Sequence, residues 1–562
     1  MRAQGRVRPA YLCLLLALLT FAWFAALVPR HLAKTDEGRY AEIPREMVAS
    51  GDWLTPRLDG LKYFEKPALQ YWATATIYKV VGMSDWSSRF WTGLTGFLGI
   101  FVVGATAGRL YGRATALYSG AVLGSSLLYV LLGHIDTLDM GLTFFTTAGL
   151  CAALWARQSP DVRSARYWML ACWAALALAV LSKGLIGIVL PGAVFCLYLM
   201  FTRDWEFLRR IEPWRGPLLF FGIAAPWFVA VSVINPGFAR FFFIYEHFER
   251  FLTTSHHRVG PWWYFVPILA LGMLPWTLLL PQAIWQGFGR QKRLLWTPES
   301  HVLRFRPDLL LSLWSVFIFL FFSISSSKLP SYILPIWPAL AILLARTLVT
   351  MKARILAWHS VMIAMLALGL LVAGTLAERF APHSGLDLAQ IRLEYRQFGH
   401  WVVMAALLWL GGAIGCWFFS RRGAQTVAIM ILACASTAGA LTGLVGYGAL
   451  DRVASAYYVG QALKGKIGPD TRLFSVEMYE QTLPFYLQRT MTLVNQRDEL
   501  DFGLRAEPEK GIATIADFAQ VWRALPSAIA VMPPTTFEKL AAMGLPLHVI
   551  LSDRRFVVVS RS

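Results

Sequence analysis

The chain has 562 residues, of which 57% are hydrophobic and 15% charged, with a formal net charge of +19. Those proportions exclude a soluble globular fold, because apolar runs of roughly 20 residues recur and each is long enough to span the hydrocarbon of a bilayer. The charge does not read as nucleic-acid binding: many Lys and Arg lie in short loops between apolar runs, where they set topology or meet anionic lipid, and no recognition motif accompanies them.

About thirteen spans are expected along the chain. MRAQGRVRP leads into the first, near Tyr11 to Val28, which reads as an uncleaved anchor rather than a signal peptide. A long polar loop to about Ser88 follows, then spans near Trp91 to Gly108, Ala114 to Leu132 and onward from Met140 to Trp155, the last preceded by HIDTLDM. The next two, near Tyr167 to Leu181 and Leu185 to Phe201, are separated by SKG, and the seventh ends near Val233. A second polar loop from Asn235 to Pro261 leads to the eighth, ending near Pro281. The ninth, near Leu309 to Ile324, is divided from the tenth by SSSKLPSY, and the last three lie near Ile355 to Leu376, Trp401 to Phe419 and Thr426 to Leu450.

If Met1 is cytoplasmic, the Arg-rich loops after every second span are cytoplasmic too. The two long polar loops, HIDTLDM, SKG, SSSKLPSY and everything after Leu450 then share the opposite face. From Asp451 onward, β-like runs (Leu473 to Val476, Ala528 to Met532, Leu547 to Leu551, Phe556 to Val559) alternate with helical patterns, predicting a small α/β domain without a GxGxxG or P-loop. The six cysteines, Cys13, Cys151, Cys172, Cys196, Cys416 and Cys434, all fall in apolar segments without metal spacing and read as small core hydrophobes.

The chemistry gathers in the first polar loop, which runs DEGRYAEIPREM (Asp36 to Met47), SGDW and FEKPALQYW (Phe64 to Trp72). Ionisable groups at a membrane boundary are costly to dehydrate, so so dense a cluster suggests a polar reaction site. Asp36 suits a general base, a metal ligand or a helix cap, and Arg39 and Tyr40 share its face if the run is helical. Pro67 holds Lys66 extended, where it can pair with a phosphate or snorkel to the interface. Asp136 and Asp139 are three apart: they raise one another's pKa, bind a cation or sugar, or simply close a polar turn. Lys183, between two very apolar runs, needs an anionic partner or water. Lys328 and Tyr332 sit in a proline-broken stretch resembling the setting of Lys66. In the Asn235 loop, an aromatic stripe with Glu246 and Arg250 four apart predicts an amphipathic helix on the membrane, and His256, His257 and Arg258 suit a phosphate or a metal.

DEGRYAEIPREM, SGDW, YFEKPALQYW, LSKGLIGIVLPG, EHFERF and SKLPSYILPIWPAL together resemble large inner-membrane glycosyltransferases of the GT-C fold. These use polyprenyl-phosphate sugars and are related to protein O-mannosyltransferases. Within that group the chain is similar to the undecaprenyl phosphate-aminoarabinose:lipid A arabinosyltransferase family, over essentially its whole length.

The resemblance implies a polytopic α-helical membrane protein, with a transmembrane catalytic domain over residues 1–450, periplasmic loops 31–88 and 235–261, and a periplasmic α/β domain over 451–562. It implies an inverting transfer of 4-amino-4-deoxy-L-arabinose from undecaprenyl phosphate to lipid A, giving polymyxin resistance, by a monomer in the bacterial inner membrane with a cytoplasmic N-terminus. Asp36 matches the catalytic carboxylate, with Asp139 and Glu65 as further acidic positions. Lys66, with Arg39, Tyr40, Tyr63, Lys183, Lys328, Tyr332 and Arg258, is assigned to the lipid phosphate. The residues themselves demand no cofactor and leave a metal requirement open: Glu65, His256 and His257 offer a place for a divalent metal such as zinc. The competing expectations are a sister transferase of another sugar, or to a protein hydroxyl, and a lipid or solute transporter.

Overall fold

The computed structural model describes residues 9–249, 260–289, 305–382, 388–496, 498–553 and 555–561. Among these, nine helices are long and apolar enough to cross a membrane, and ten if the bent pair Phe265–Gly272 and Thr277–Phe288 is one span. Pro275 lies in that bend, where a residue without an N–H cannot continue a helix. Leu16–Ala25 and Ile186–Thr202 are shorter apolar helices, and the expected third span is broken at Ser126 into Arg113–Ser125 and Leu127–Leu132. Each of the thirteen apolar segments read from the sequence thus contains a helix. Leu138–Gln158 and Pro330–Thr350 are the most enclosed, with 83% of the spanning window buried, and form the centre of the bundle.

The first polar loop is more ordered than its sequence suggests. After helix α1 (Pro9–Ala25) comes helix α2 (Asp36–Ser50), and every residue from Glu37 to Met47 is buried. So polar a helix can be buried only because its charges are paired. Glu37 accepts from both Nη atoms of Arg30 at 2.7 and 2.9 Å, and from Arg89 Nε and Nη2 at 2.7 and 3.0 Å. Burial opposes the Glu37 carboxylate, but the two guanidiniums outweigh it and hold its pKa well below the usual range. Glu42 accepts from Arg45 at 2.6 and 2.5 Å, and Glu46 accepts from the Gly60 N–H at 2.9 Å. Strands β1 (Arg57–Leu58) and β2 (Leu61–Lys62) form a hairpin whose turn, Asp59-Gly60, has positive φ at both residues. Helix α3 (Leu69–Val81) and the long span α4 (Asp85–Tyr111) follow.

The C-terminal region folds as a five-stranded sheet in the order β4-β3-β5-β7-β6, from β3 (Arg472–Val476), β4 (Thr492–Val494), β5 (Ala528–Met532), β6 (His548–Ser552) and β7 (Val557–Ser560). β3, β4 and β5 are parallel, while β7 and β6 add antiparallel. Phe474, Trp522 and Met532 pack on one face and Leu473, Ile529 and Val531 on the other, so the central strand is an unbroken apolar run.

This domain grips α2 and the hairpin. Asp59 accepts from the Met491 N–H at 2.6 Å, and Glu507 accepts from Arg57 at 3.0 Å and from the Lys62 N–H at 3.0 Å. At Gly38 the two backbones approach so closely that a Cβ would lie 2.6 Å from the Gln481 carbonyl carbon. Gly38→Ala is therefore expected to cost about 1–3 kcal/mol of stability, read as a lower thermal unfolding temperature of the purified chain. Retention of the wild-type value would show that the interface yields.

The same interface titrates. Burial raises the carboxyls of Glu46 and Asp59 well above the ordinary range, with Glu42 adding to both and Asp59 to Glu46. A carboxyl raised by folding favours the folded state only while protonated, so its contribution is complete below about pH 4.3 and is lost as pH climbs through the raised value. Glu46→Gln keeps an oxygen for the Gly60 N–H and removes the charge. It is expected to flatten the fall in thermal stability with rising pH; an unchanged slope would contradict the assignment.

Candidate active site

α2 supplies the first pair. Thr35 precedes the helix and Asp36 occupies its first position, so the carboxylate is not the cap but stands in the first turn, 42% exposed, 3.5 Å from Arg39 one turn on. Arg39 lies 5.8 Å from the centre of the Tyr40 ring and 6.0 Å from that of Tyr63, and its far side pairs with Glu499 of the C-terminal domain. That partner was invisible to local sequence reading, being hundreds of residues away.

The chain after the hairpin brings in the second pair. Lys66 Nζ donates to the Glu65 carbonyl at 2.8 Å and to Glu246 Oε2 at 3.2 Å, with Glu65 Oε2 at 3.9 Å. Glu246 comes from the wide helical turn Arg240–Glu249. This helix is two-faced: Phe242 is buried and Phe241 packs at 4.5 Å on Phe502, while Ile244 and Tyr245 are exposed. Arg250, His256, His257 and Arg258 lie outside the described residues. Among those described, no three His, Cys, Asp or Glu side chains gather as a metal site.

Tyr40 and Tyr71, 6.2 Å apart, wall the cluster, and the charges of Arg39, Glu65, Asp136 and Asp36 all reach the Tyr71 phenol. Asp136 takes hydrogen bonds from Gln70 at 2.7 Å and Thr92 at 3.2 Å, while its N–H donates to Glu37 at 3.0 Å. Burial, then the Glu37 charge, raises its carboxyl well above the ordinary range. Asp136 and Asp139 therefore do not act as one pair: Asp139, in the first turn of Leu138–Gln158, pairs with Lys183. Lys183 ends the helix Val162–Lys183 and sits 5.0 Å from the Tyr332 ring centre. The anionic partner that Lys183 required is thus Asp139. Lys328 stands apart from this arrangement; its ammonium donates to the carbonyls of Phe322, Ser323 and Ser325 at 3.3, 2.8 and 2.9 Å and caps the helix Pro307–Ile324.

The sequence reading assigned no site role to Glu246, Glu499, Gln70 and Tyr71. Gln70 and Tyr71 were within reach, since they belong to FEKPALQYW. The Tyr63 and Tyr71 hydroxyls and Asp136 Oδ2 are buried and have no hydrogen-bond partner among the described residues. Carboxylates, cationic side chains and buried tyrosines, at the edge of a helical bundle and covered by an α/β domain, define the class of a membrane-embedded site for a charged substrate.

Comparison with known proteins narrows the class. The family described as Dolichyl-phosphate-mannose-protein mannosyltransferase matches residues 10–286, and Aminoarabinose transferase C-terminal domain matches residues 459–561. The structure of ArnT from Cupriavidus metallidurans bound to undecaprenyl phosphate is 37% identical, with a TM-score of 0.90 over 99% of both chains. The undecaprenyl phosphate-alpha-4-amino-4-deoxy-L-arabinose arabinosyl transferase of Aeromonas salmonicida is 31% identical over 67% of this chain and 68% of its own. Its namesake from Edwardsiella ictaluri is 34% identical over 59% of this chain and 58% of its own. The chain belongs to the undecaprenyl phosphate-aminoarabinose arabinosyltransferase family, and is a multi-pass inner-membrane glycosyltransferase of the GT-C fold.

Proposed function

We propose that the protein moves 4-amino-4-deoxy-L-arabinose from undecaprenyl phosphate to a phosphate of lipid A, on the periplasmic side of the inner membrane. The acceptor oxygen attacks the anomeric carbon from the face opposite the leaving group, the bond to the lipid phosphate breaks, and undecaprenyl phosphate departs. The carrying observation is Lys66, whose ammonium the Glu65 carbonyl and the Glu246 carboxylate fix in place at the membrane boundary, with the Arg39–Asp36 pair presented by the same polar loop. A phosphate leaving group needs positive charge aimed at the developing anion, which Lys66 and Arg39 supply. The buried Tyr63 and Tyr71 hydroxyls and the Asp136 carboxyl are donors and acceptors for a sugar in the same enclosure.

A lipid A phosphate is already largely dianionic near neutral pH, its second pKa being about 6 as for phosphomonoesters. Asp36 therefore orients the acceptor or stabilises positive charge at the sugar, and Asp139 with Lys183 forms the second wall. Each transfer places an ammonium beside a lipid A phosphate, which weakens the attraction of cationic peptides such as polymyxin. The reading places the N-terminus in the cytoplasm and the C-terminal domain in the periplasm, and takes the enzyme as a monomer.

The test is incubation of the purified protein with lipid A and undecaprenyl-phosphate aminoarabinose, followed by mass spectrometry of the lipid. Pentosamine-bearing lipid A is the expected product. Transfer only from another sugar donor, or only to protein hydroxyls, would move the chain to a sister activity.

A further inference from the structure

A second cavity, of about 290 Å³, lies between the membrane helix Leu388–Arg421 and the C-terminal domain and shares no residue with the Lys66 cluster. Its polar lining includes Gln390, Glu394, Arg452, Asp553 and Arg555. Glu394 is 4% exposed, yet only one of its carboxylate oxygens is engaged: Oε1 accepts from Gln390 at 3.2 Å and lies 3.7 Å from Arg452. Oε2 is buried with no hydrogen-bond partner among the described residues. Across the lining, Arg555 is tied to Glu480 at 3.4 Å and to the Ser455 carbonyl at 2.7 Å, while its buried Nε lies 3.9 Å from Asp553 Oδ2 and carries no hydrogen bond among the described residues. Arg452 is half exposed and stacks 5.1 Å from the Tyr458 ring centre. The cavity therefore offers an acceptor for a cation and donors for an anion at once.

Its height relative to the bilayer narrows the ligand. The apolar part of the helix begins at Trp401, and Glu394 lies seven residues before it. At 1.5 Å per residue, that places Glu394 about 10 Å outside the hydrocarbon, at the level of lipid headgroups. Apolar side chains frame the region: Leu393, Val453 and Tyr458 are each substantially exposed.

We propose that this cavity binds the headgroup of an ethanolamine phospholipid, with the ammonium on Glu394 Oε2, the phosphate on Arg452 and Arg555, and the acyl chains passing the exposed apolar side chains toward the bilayer. An ammonium with N–H donors satisfies the orphan oxygen, whereas a choline trimethylammonium has none to give. A glycerol headgroup keeps the phosphate but lacks the cation.

Native mass spectrometry of the detergent-purified full chain, titrated separately with phosphatidylethanolamine, phosphatidylcholine and phosphatidylglycerol, tests this. The expected result is binding of the ethanolamine lipid about tenfold tighter than either of the others, the factor a charge-assisted hydrogen bond supplies. Glu394→Gln is expected to erase that preference, and Arg452→Gln to weaken all three lipids together. Equal binding of the ethanolamine and choline lipids to the unaltered chain would overturn the proposal, as would a preference that survives Glu394→Gln. Should that variant fail to fold, Arg452→Gln, at a half-exposed position, still decides: undiminished binding of the ethanolamine lipid overturns the site. Tighter binding of aminoarabinose-bearing lipid A, which also joins an ammonium to a phosphate, would assign the cavity to product and overturn it too.

Discussion

Lys66→Gln is expected to lower turnover about 100- to 1,000-fold, the loss that follows removal of one preorganised charge-stabilising group. The reasoning starts from the leaving group. As the sugar–phosphate bond lengthens, negative charge grows on the lipid phosphate, and an ammonium fixed in advance stabilises it without reorganisation. Lys66 is fixed: the Glu65 carbonyl and the Glu246 carboxylate hold Nζ, and the ammonium is half-buried. Lys66→Arg keeps the charge but exchanges a compact ammonium for a larger planar fork, which spreads the charge and moves it from the position that Nζ holds. It is expected to recover only part of the rate. Because the substitution to Gln removes the charge partner of the buried Glu246, the thermal unfolding temperature must be compared alongside. A rate within about twofold of wild type for Lys66→Gln, in a folded protein, would remove Lys66 from the site.

Asp36→Asn is the second large effect, expected at about 100-fold or more. Asp36 is 42% exposed and its contact is with Arg39 at 3.5 Å, so the substitution leaves the packing of α2 intact and the loss reports on chemistry. Its pH dependence separates two roles. If Asp36 removed a proton from the acceptor phosphate, the variant would recover as that phosphate ionises by itself above about pH 6. An orienting or charge-stabilising carboxylate gives a defect of constant size across that range. The constant defect is the expected result in a rate assay spanning acid to mildly alkaline pH, and recovery at high pH would restore the base role.

The density of charge in the first polar loop was legible; its division of labour was not. Of the acidic residues in DEGRYAEIPREM, Glu37, Glu42 and Glu46 are consumed by structural pairing, and only Asp36 remains at the open end of the helix. Nothing local distinguishes them, because their partners include Arg89, more than fifty residues on, and the hairpin at Gly60. The Lys66–Glu246 and Arg39–Glu499 pairs span still greater separations, and periodicity carries no information about them. The need of Lys183 for an anion followed from its apolar flanks alone, and Asp139 meets it. The hairpin carried a signal in its Asp59-Gly60 turn, but its two-residue strands are too short to show alternation. β4 was missed for the same reason, with three residues in an otherwise polar stretch.

The central claim is that Lys66 holds the phosphate of the lipid carrier. A cryo-EM map of this protein with undecaprenyl phosphate measures that directly. The expected result is a phosphate oxygen within about 3.2 Å of Lys66 Nζ. A phosphate held elsewhere, out of reach of Lys66, would contradict it.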